Sequence, residues 1–313
     1  MATLKQISIF AKLAETPTMG EAATALGTSQ PALSQQLAAL EAALGIKLFE
    51  RIPKGVTLTP GGRDLLGSAQ AVLNAVREFG DAADRAAQRY VGTIRFGVSP
   101  TLGPYLMPAV IKTLHERYPG IRIFIREGIP DQHQSQLAAG QLDMILSPMP
   151  VEGRGLHAEP LFREPLHIVV PPDDPLNAGQ PVDQRKFADR TFLTLDHRHH
   201  YHRQLEGICR RFGAAILSDY EGTSLDALQQ MVGSGVALAI LPELYIRSGA
   251  GGLDMVAISN PTGWSEYRSI AAAWRSSAAF ADLYAEIADV VAQEARHKLG
   301  DDKTAGLNRP HRD

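Results

Sequence analysis

Apolar positions along the chain change their period twice. Leu4, Ile7, Phe10, Ala11 and Ala14 recur at helical spacing until Thr16-Pro17 ends the run. Thr18-Met19-Gly20-Glu21 has the form of a capping box, so a short helix is predicted to Leu26, with Gly27 breaking it. Thr28 or Ser29 caps a third helix whose first turn tolerates Pro31. Leu33, Leu37, Leu40 and Leu44 form its buried stripe, and Gln30, Pro31, Ser34 and Gln35 lie on the other face. Strand-like runs at Ile46–Glu50 and Val56–Leu58 then bracket a tip that carries Arg51 and Lys54. After a cap and proline at Thr59-Pro60, the positions Leu65, Ala69, Val72, Val76, Phe79, Ala83 and Ala86 alternate steps of four and three. That is the 3.5-residue period of a coiled-coil seam.

Beyond residue 90 short apolar runs take over. Val91–Val98, Ile121–Arg126 and Leu142–Leu146 read as strands, with helices near Pro104–Arg117 and Gln132–Ala139. Such alternation predicts a parallel α/β sheet. Leu166–Val170 and the proline-rich stretch behind it carry the chain into a second lobe. That lobe has strands at Phe192–Leu195 and Val236–Leu241 and helices near Tyr201–Phe212 and Ser224–Val232. Ile270–Trp274 returns to the first lobe, and an amphipathic helix near Phe280–His297 closes it. The expected division is 1–58, a long linker helix at 59–89, and a two-lobed α/β domain at 90–300. Lobe I takes about 90–164 and 268–300, lobe II about 165–267, and the polar tail 301–313 is expected to be disordered. Two α/β lobes joined by two crossovers enclose a cleft, and ligands of such sheets bind beyond the strand C-terminal ends.

Length, 313 residues, fits two or three such units. No run of about 18 apolar residues occurs and no signal-peptide core precedes the first helix, so a cytoplasmic protein without membrane partners is expected. A single cysteine excludes an intramolecular disulfide and suits a reducing compartment. The net charge is −3; residues 1–90 carry nine Lys and Arg against eight Asp and Glu, +1, which leaves −4 for the rest. Nothing global draws this chain to nucleic acid, so a case for DNA rests on where the charges sit.

Two helices joined by a tight glycine turn, the second exposing small polar residues, describe a helix-turn-helix. In that geometry Ser29, Gln30, Pro31, Ser34 and Gln35 approach the base edges of double-stranded DNA, and the hairpin is a wing that lays Arg51 and Lys54 on phosphates. A plain three-helix bundle is the other reading of the same pattern. The seam packs either on its own domain or against a partner helix. A partner gives a dimer with two recognition helices for two half-sites.

In the second part, Ser99 and Thr101 follow the first strand at the start of its helix, where backbone N–H groups attract anions. Pro130 and Asp131 open the next helix, and Thr223-Ser224 take the corresponding place in lobe II. Capping the helices is the alternative role for these hydroxyls. Leu195–Cys209 gathers His197, His199, His200 and His202 ahead of Cys209. Zinc takes about four converging ligands, which four histidines crowded at one strand–helix junction do not all supply. A three-ligand metal site and a solvated turn with one or two histidines in the cleft both stay open. No nucleophile–base pair, phosphate loop or metalloprotease motif is visible, so neither an enzyme nor a cofactor is expected.

SQPALSQQLAALEAALGIKLFER followed by KGVTLTPGG resembles the DNA-binding segment of LysR-type transcriptional regulators over nearly all of residues 1–62. The resemblance implies a winged helix-turn-helix, a dimerising linker and a periplasmic-binding-protein-like effector domain. It also implies promoter DNA and a small-molecule effector as ligands, a homotetramer, and RNA polymerase as a further partner. Family members usually carry arginine where this chain has Gln35. PTLGPYLMP, LFREPL and TSLDALQQMVGSGVALAILP resemble the peroxide-sensing OxyR branch. There the sensing cysteine follows a histidine and a second cysteine lies nine positions on. His199 matches that histidine, His200 the sensing position, Cys209 the resolving position and Arg268 an arginine of the pocket. This implies a pocket kept without its attacking thiolate, with His200 and Arg268 suited to a small carboxylate or other oxyanion. A metal- or redox-responsive regulator using His197–His202 and Cys209 is the alternative.

Overall fold

The computed structural model describes residues 2–53, 55–86, 92–177, 182–198, 200–249 and 256–300. Lys54, His199 and the tail 301–313 lie outside the described residues. The chain divides into two units, residues 1–89 with 139–141 and the remainder.

In the first unit α1 (Leu4–Ala14) carries the full reciprocal capping box, between Thr3 and Gln6. At α2 (Met19–Ala25) the Thr18 hydroxyl accepts the Glu21 N–H at 3.2 Å. Gly27 turns the chain at φ 62°. Ser29, rather than Thr28, caps α3 (Gln30–Leu44), its hydroxyl accepting the Ala32 N–H. Leu33, Leu37 and Leu40 bury against Phe10, Leu13 and Leu48, each leucine contributing about 1.5–3 kcal/mol. Leu44, the last residue of α3, lies past this core and is exposed. β1 (Phe49–Ile52) and β2 (Gly55–Leu58) pair antiparallel from Phe49↔Leu58 to Ile52↔Gly55. Thr59 accepts from Gly62 N–H at 3.0 Å and donates to the Lys47 carbonyl at 2.6 Å, which fixes the start of α4 (Pro60–Ala86). Along α4 the seam changes role. Leu65 and Ala69 pack into the α1–α3 core, whereas Val72, Val76 and Phe79 are 41, 47 and 78% exposed.

The second unit is α/β, as its pattern predicts. β3 (Gly92–Val98), α5 (Gly103–Arg117), β4 (Ile121–Glu127), α6 (Pro130–Ala138) and β5 (Met144–Pro148) build lobe I, and β3 pairs parallel with β4 and β5. β6 (Leu156–Val170) then runs unbroken from lobe I into lobe II. Lobe II holds β7 (Thr191–Leu195), α7 (His200–Phe212), β8 (Ala215–Gly222), α8 (Leu225–Gly233), β9 (Ala239–Pro242), α9 (Glu243–Arg247) and β10 (Ala257–Ile258). β11 (Tyr267–Arg275) returns to lobe I and α10 (Ala281–Leu299) packs on it. The sheet is mixed, a correction to the parallel expectation. β11 is antiparallel to both β5 and β6, and β6 is antiparallel to β9 and β10. The return strand enters beside β5 from the opposite direction, which the alternation of strands and helices does not encode.

Candidate functional site

At the N-terminal end of α3, Gln30, Pro31 and Gln35 are exposed and Ser34 is half-buried, while Ser29 is engaged as the cap. Arg51 is exposed on β1, paired opposite Val56. Glu41, which the sequence reading passed over, ties this wing to the recognition helix. Its carboxylate accepts from Leu48 N–H at 2.9 Å, Phe49 N–H at 3.4 Å and Lys47 Nζ at 2.7 Å. Burial pushes its pKa up, but the Lys47 and backbone hydrogen bonds prevail and hold it below the usual carboxylate range.

Between the lobes the chain brings Ser99, Thr101, Pro130, His200 and Arg268 around one inner cavity, with Tyr201 and Gln204 as further walls. It is a small cavity of about 10 Å³, no more than water-sized. Pro130 and His200 also line an adjoining outer cavity of about 260 Å³, with Asp131, Gln134, Glu152 and Arg203. His200, Arg203 and Gln204 stand three and four residues apart on α7, hence on one face.

Both arginines of this cleft are paired. Arg268 is buried, as is Glu164, which accepts its Nε at 2.7 Å and the Leu244 N–H at 2.8 Å. The other guanidinium nitrogens donate to the Thr101 hydroxyl at 2.7 Å and the Thr101 carbonyl at 2.9 Å. Ser99 Oγ lies 3.0 Å from the same hydroxyl. Arg268 is thus a tie between β6, β11 and the β3–α5 turn, and its positive charge, expected to suit an oxyanion in the cleft, is already met by Glu164. Arg203 pairs with Asp131 across the lobes at 3.2 Å. Burial, then Arg203 and Arg268, push the His200 pKa below its ordinary value, against the opposing pull of Asp131 and a hydrogen bond to the Met149 backbone. The depressed pKa favours the neutral ring, which offers one donor and one acceptor to the cleft.

Thr223 and Ser224 stand apart from both cavities; Thr223 is exposed and Ser224 caps α8 through the Ala227 N–H. Nor do the described histidines of the cluster converge. His202 Nδ1 meets the Thr194 hydroxyl at 2.9 Å, His197 Nδ1 lies 3.3 Å from Glu221, and His200 faces the cleft. Among the described residues, Asp196, His197 and Glu221 form a group of three metal-capable side chains with ligand atoms within 4.8 Å of one another. Arg198 already clamps Asp196 and holds its carboxyl well below the usual range. Cys209 is buried in lobe II beside Leu205, Ile208 and Phe212. Burial pushes its thiol up to about 11, so little thiolate exists at neutral pH.

A winged helix-turn-helix, a long helix with an exposed apolar seam, and two α/β lobes around a polar cleft define the class of DNA-binding transcription regulators with a separate α/β domain. Residues 4–63 match the bacterial regulatory helix-turn-helix protein model of the lysR family, and residues 87–296 match the LysR substrate binding domain. The chain belongs to this family of transcription regulators, which are not enzymes. It is 34% identical over 296 residues, 93% of this chain and 94% of the relative, to a probable hydrogen peroxide-inducible genes activator of Mycobacterium avium. Escherichia coli (strain K12) OxyR, a DNA-binding transcriptional dual regulator, is 31% identical over 243 residues, 78% of this chain and 80% of the relative. A full-length OxyR variant from Pseudomonas aeruginosa aligns with TM-score 0.76 and 27% identity over 98% of this chain and 99% of that one. A hydrogen-peroxide-bound OxyR mutant of Corynebacterium glutamicum aligns with TM-score 0.63 and 29% identity over 96% and 94%. No helix among the described residues is long and apolar enough to cross a membrane.

Proposed function

We propose that this regulator binds promoter DNA as a dimer joined through α4, two dimers forming the tetramer, and that a small polar effector in the interlobe cleft changes its DNA affinity. Gln30, Pro31, Ser34 and Gln35 read base edges and Arg51 holds a phosphate. The observation that carries the effector reading is the position of His200 on the wall of both cavities, beside Ser99, Thr101 and Arg268. A ligand entering the outer cavity meets His200 and Arg203 together. Its leverage on the lobes requires different affinity for their two arrangements. Because Arg268 and Arg203 already have carboxylate partners, an anionic effector gains most by displacing Asp131 from Arg203. It would also raise the pKa of His200 and so take up a proton. Calorimetry with small carboxylates in buffers of different ionisation enthalpy tests this: proton uptake on binding, abolished in His200→Ala, is the expected result, and binding indifferent to His200→Ala refutes it.

Redox response is the second reading, favoured by relatives named for hydrogen peroxide. The inner cavity is small and walled by Ser99, Thr101, His200 and Arg268, polar groups suited to a ligand as small as peroxide. With one cysteine in the chain, a disulfide within it lacks its second sulfur. In this reading peroxide acts by binding at His200 or through Cys209. Promoter binding measured with and without peroxide in wild type, Cys209→Ser and His200→Ala separates the two readings. A response lost in Cys209→Ser assigns it to the thiol, and no response in the wild type removes the redox reading.

A further inference from the structure

Successive residues of a strand face opposite ways, so the ladder that joins the lobes has two sides. Arg268 and Glu164 stand opposite each other in the ladder and belong to the cleft side. Their neighbours Tyr267 and Pro165 also stand opposite each other, and with Arg163 and His167 they open onto a separate cavity of about 420 Å³. Trp264, from the second crossover, forms another wall. Its indole N–H donates to the Leu166 carbonyl and its ring rests on Phe212 at 5.9 Å, so the indole is held in place.

Most polar groups here have partners. Asn260 donates to His167 Nδ1 at 2.8 Å and His167 Nε2 engages Glu243. Glu266 is paired with Arg211 at 2.7 Å. Arg163 is different. Among the described residues it makes no ion pair, its guanidinium lies 4.7 Å over the Tyr267 ring, and its Nε is buried without a hydrogen-bond partner. A buried donor left unsatisfied is costly, and native structures keep few of them. Here one sits on a cation beside an apolar, aromatic-walled cavity of the size that takes small organic molecules.

We propose that this cavity is a second ligand site, distinct from the cleft, for a flat aromatic carboxylate. The ring lies against Trp264 and Pro165, and the carboxylate meets Arg163. Both crossovers supply its walls, which sets it apart from a pocket within either lobe.

Calorimetric titration of the full-length protein with phenylacetate tests the site, with phenylacetamide as the uncharged control and cyclohexylacetate as the non-aromatic one. Saturable binding of phenylacetate is expected, weakened about tenfold or more in Arg163→Gln and for phenylacetamide on the wild type. Arg163→Lys, which keeps the charge, should recover part of the loss, cyclohexylacetate should bind more weakly than phenylacetate, and His200→Ala should bind phenylacetate as the wild type does. Absence of saturable binding up to about 20 mM, far weaker than any useful affinity, would overturn the proposal. So would phenylacetamide binding as well as phenylacetate, or loss of binding in His200→Ala, which would put the ligand in the cleft.

Discussion

Arg203 on α7 and Asp131 on α6 meet across the mouth of the cleft, one from each lobe, Nη1 to Oδ2 at 3.2 Å. Both side chains are about half exposed, so the pair contributes about 0–1 kcal/mol to stability. Its effect falls on the histidine between them. Arg203 depresses the His200 pKa and Asp131 raises it. Asp131→Asn should therefore lower the His200 titration midpoint, and Arg203→Gln should raise it, with little change in unfolding midpoint. Histidine proton resonances followed against pH give the reading. Midpoints that move the other way, or not at all, would show that His200 is not between these two charges in solution.

Arg268 and Glu164 predict a large stability effect. Arg268→Ala strands a carboxylate that is fully buried, and breaking a buried pair from one side costs about 3–5 kcal/mol. Urea unfolding should show this loss, and the double change Arg268→Met with Glu164→Leu should recover most of it. A loss below about 1 kcal/mol in Arg268→Ala would mean that Glu164 finds water or another donor.

His133 on α6 makes stability sensitive to mild acid. It is 2% exposed, and burial first, then Arg126, push its pKa down to about 4. With the folded value depressed, the unfolded chain takes the proton first. The stability it confers is whole above the unfolded pKa near 6.5 and is lost as pH falls toward 4, at no more than about 1.4 kcal/mol per pH unit. Urea midpoints at pH 7, 6, 5 and 4.5 should fall more steeply in the wild type than in His133→Gln. Parallel curves would exclude a buried neutral imidazole.

Val76 on α4 tests the oligomer. It is nearly half exposed on the single chain. Val76→Asp places an unpaired carboxylate in a dimer seam, a cost of several kcal/mol. Sedimentation should then show loss of dimers while the unfolding of the effector domain is unchanged. An intact dimer would remove Val76 from the interface.

Arg51 and Gln30 should separate affinity from specificity. Arg51→Ala should weaken binding to all sequences and reduce the salt dependence by about one phosphate contact. Gln30→Ala should instead relax discrimination by about 1–3 kcal/mol at one base position. Fluorescence anisotropy with operator and scrambled duplexes at several salt concentrations distinguishes these outcomes.

Local chemistry made the first unit legible. Caps at Ser29 and Thr59, the leucine stripe of α3 and the wing hairpin are written in spacings of a few residues. The seam is legible as a period but not as a surface, because nothing in the period says that Leu65 and Ala69 turn inward while Val72 turns out. In the effector domain β3, β4, β5 and the return strand were visible as apolar runs. β8 was not, since Ser218, Asp219 and Glu221 leave it no such run. Arg203 was within reach, one helical turn from His200. The pairing of Arg268 with Glu164 was not, because it exists only once β6 and β11 lie side by side in register. Read without that partner, Arg268 looks like a charge on offer; in the fold Glu164 already takes it.

β6 passes through both lobes as one strand of 15 residues, about 50 Å at ordinary strand rise. β11 grips one half of it and β9 and β10 the other. A connection of that kind has the form of a torsion bar: any turn of one lobe against the other would twist it and be resisted along its length. Substitutions that stiffen or soften this bar, far from ligand and DNA alike, would reset the concentration at which the regulator responds.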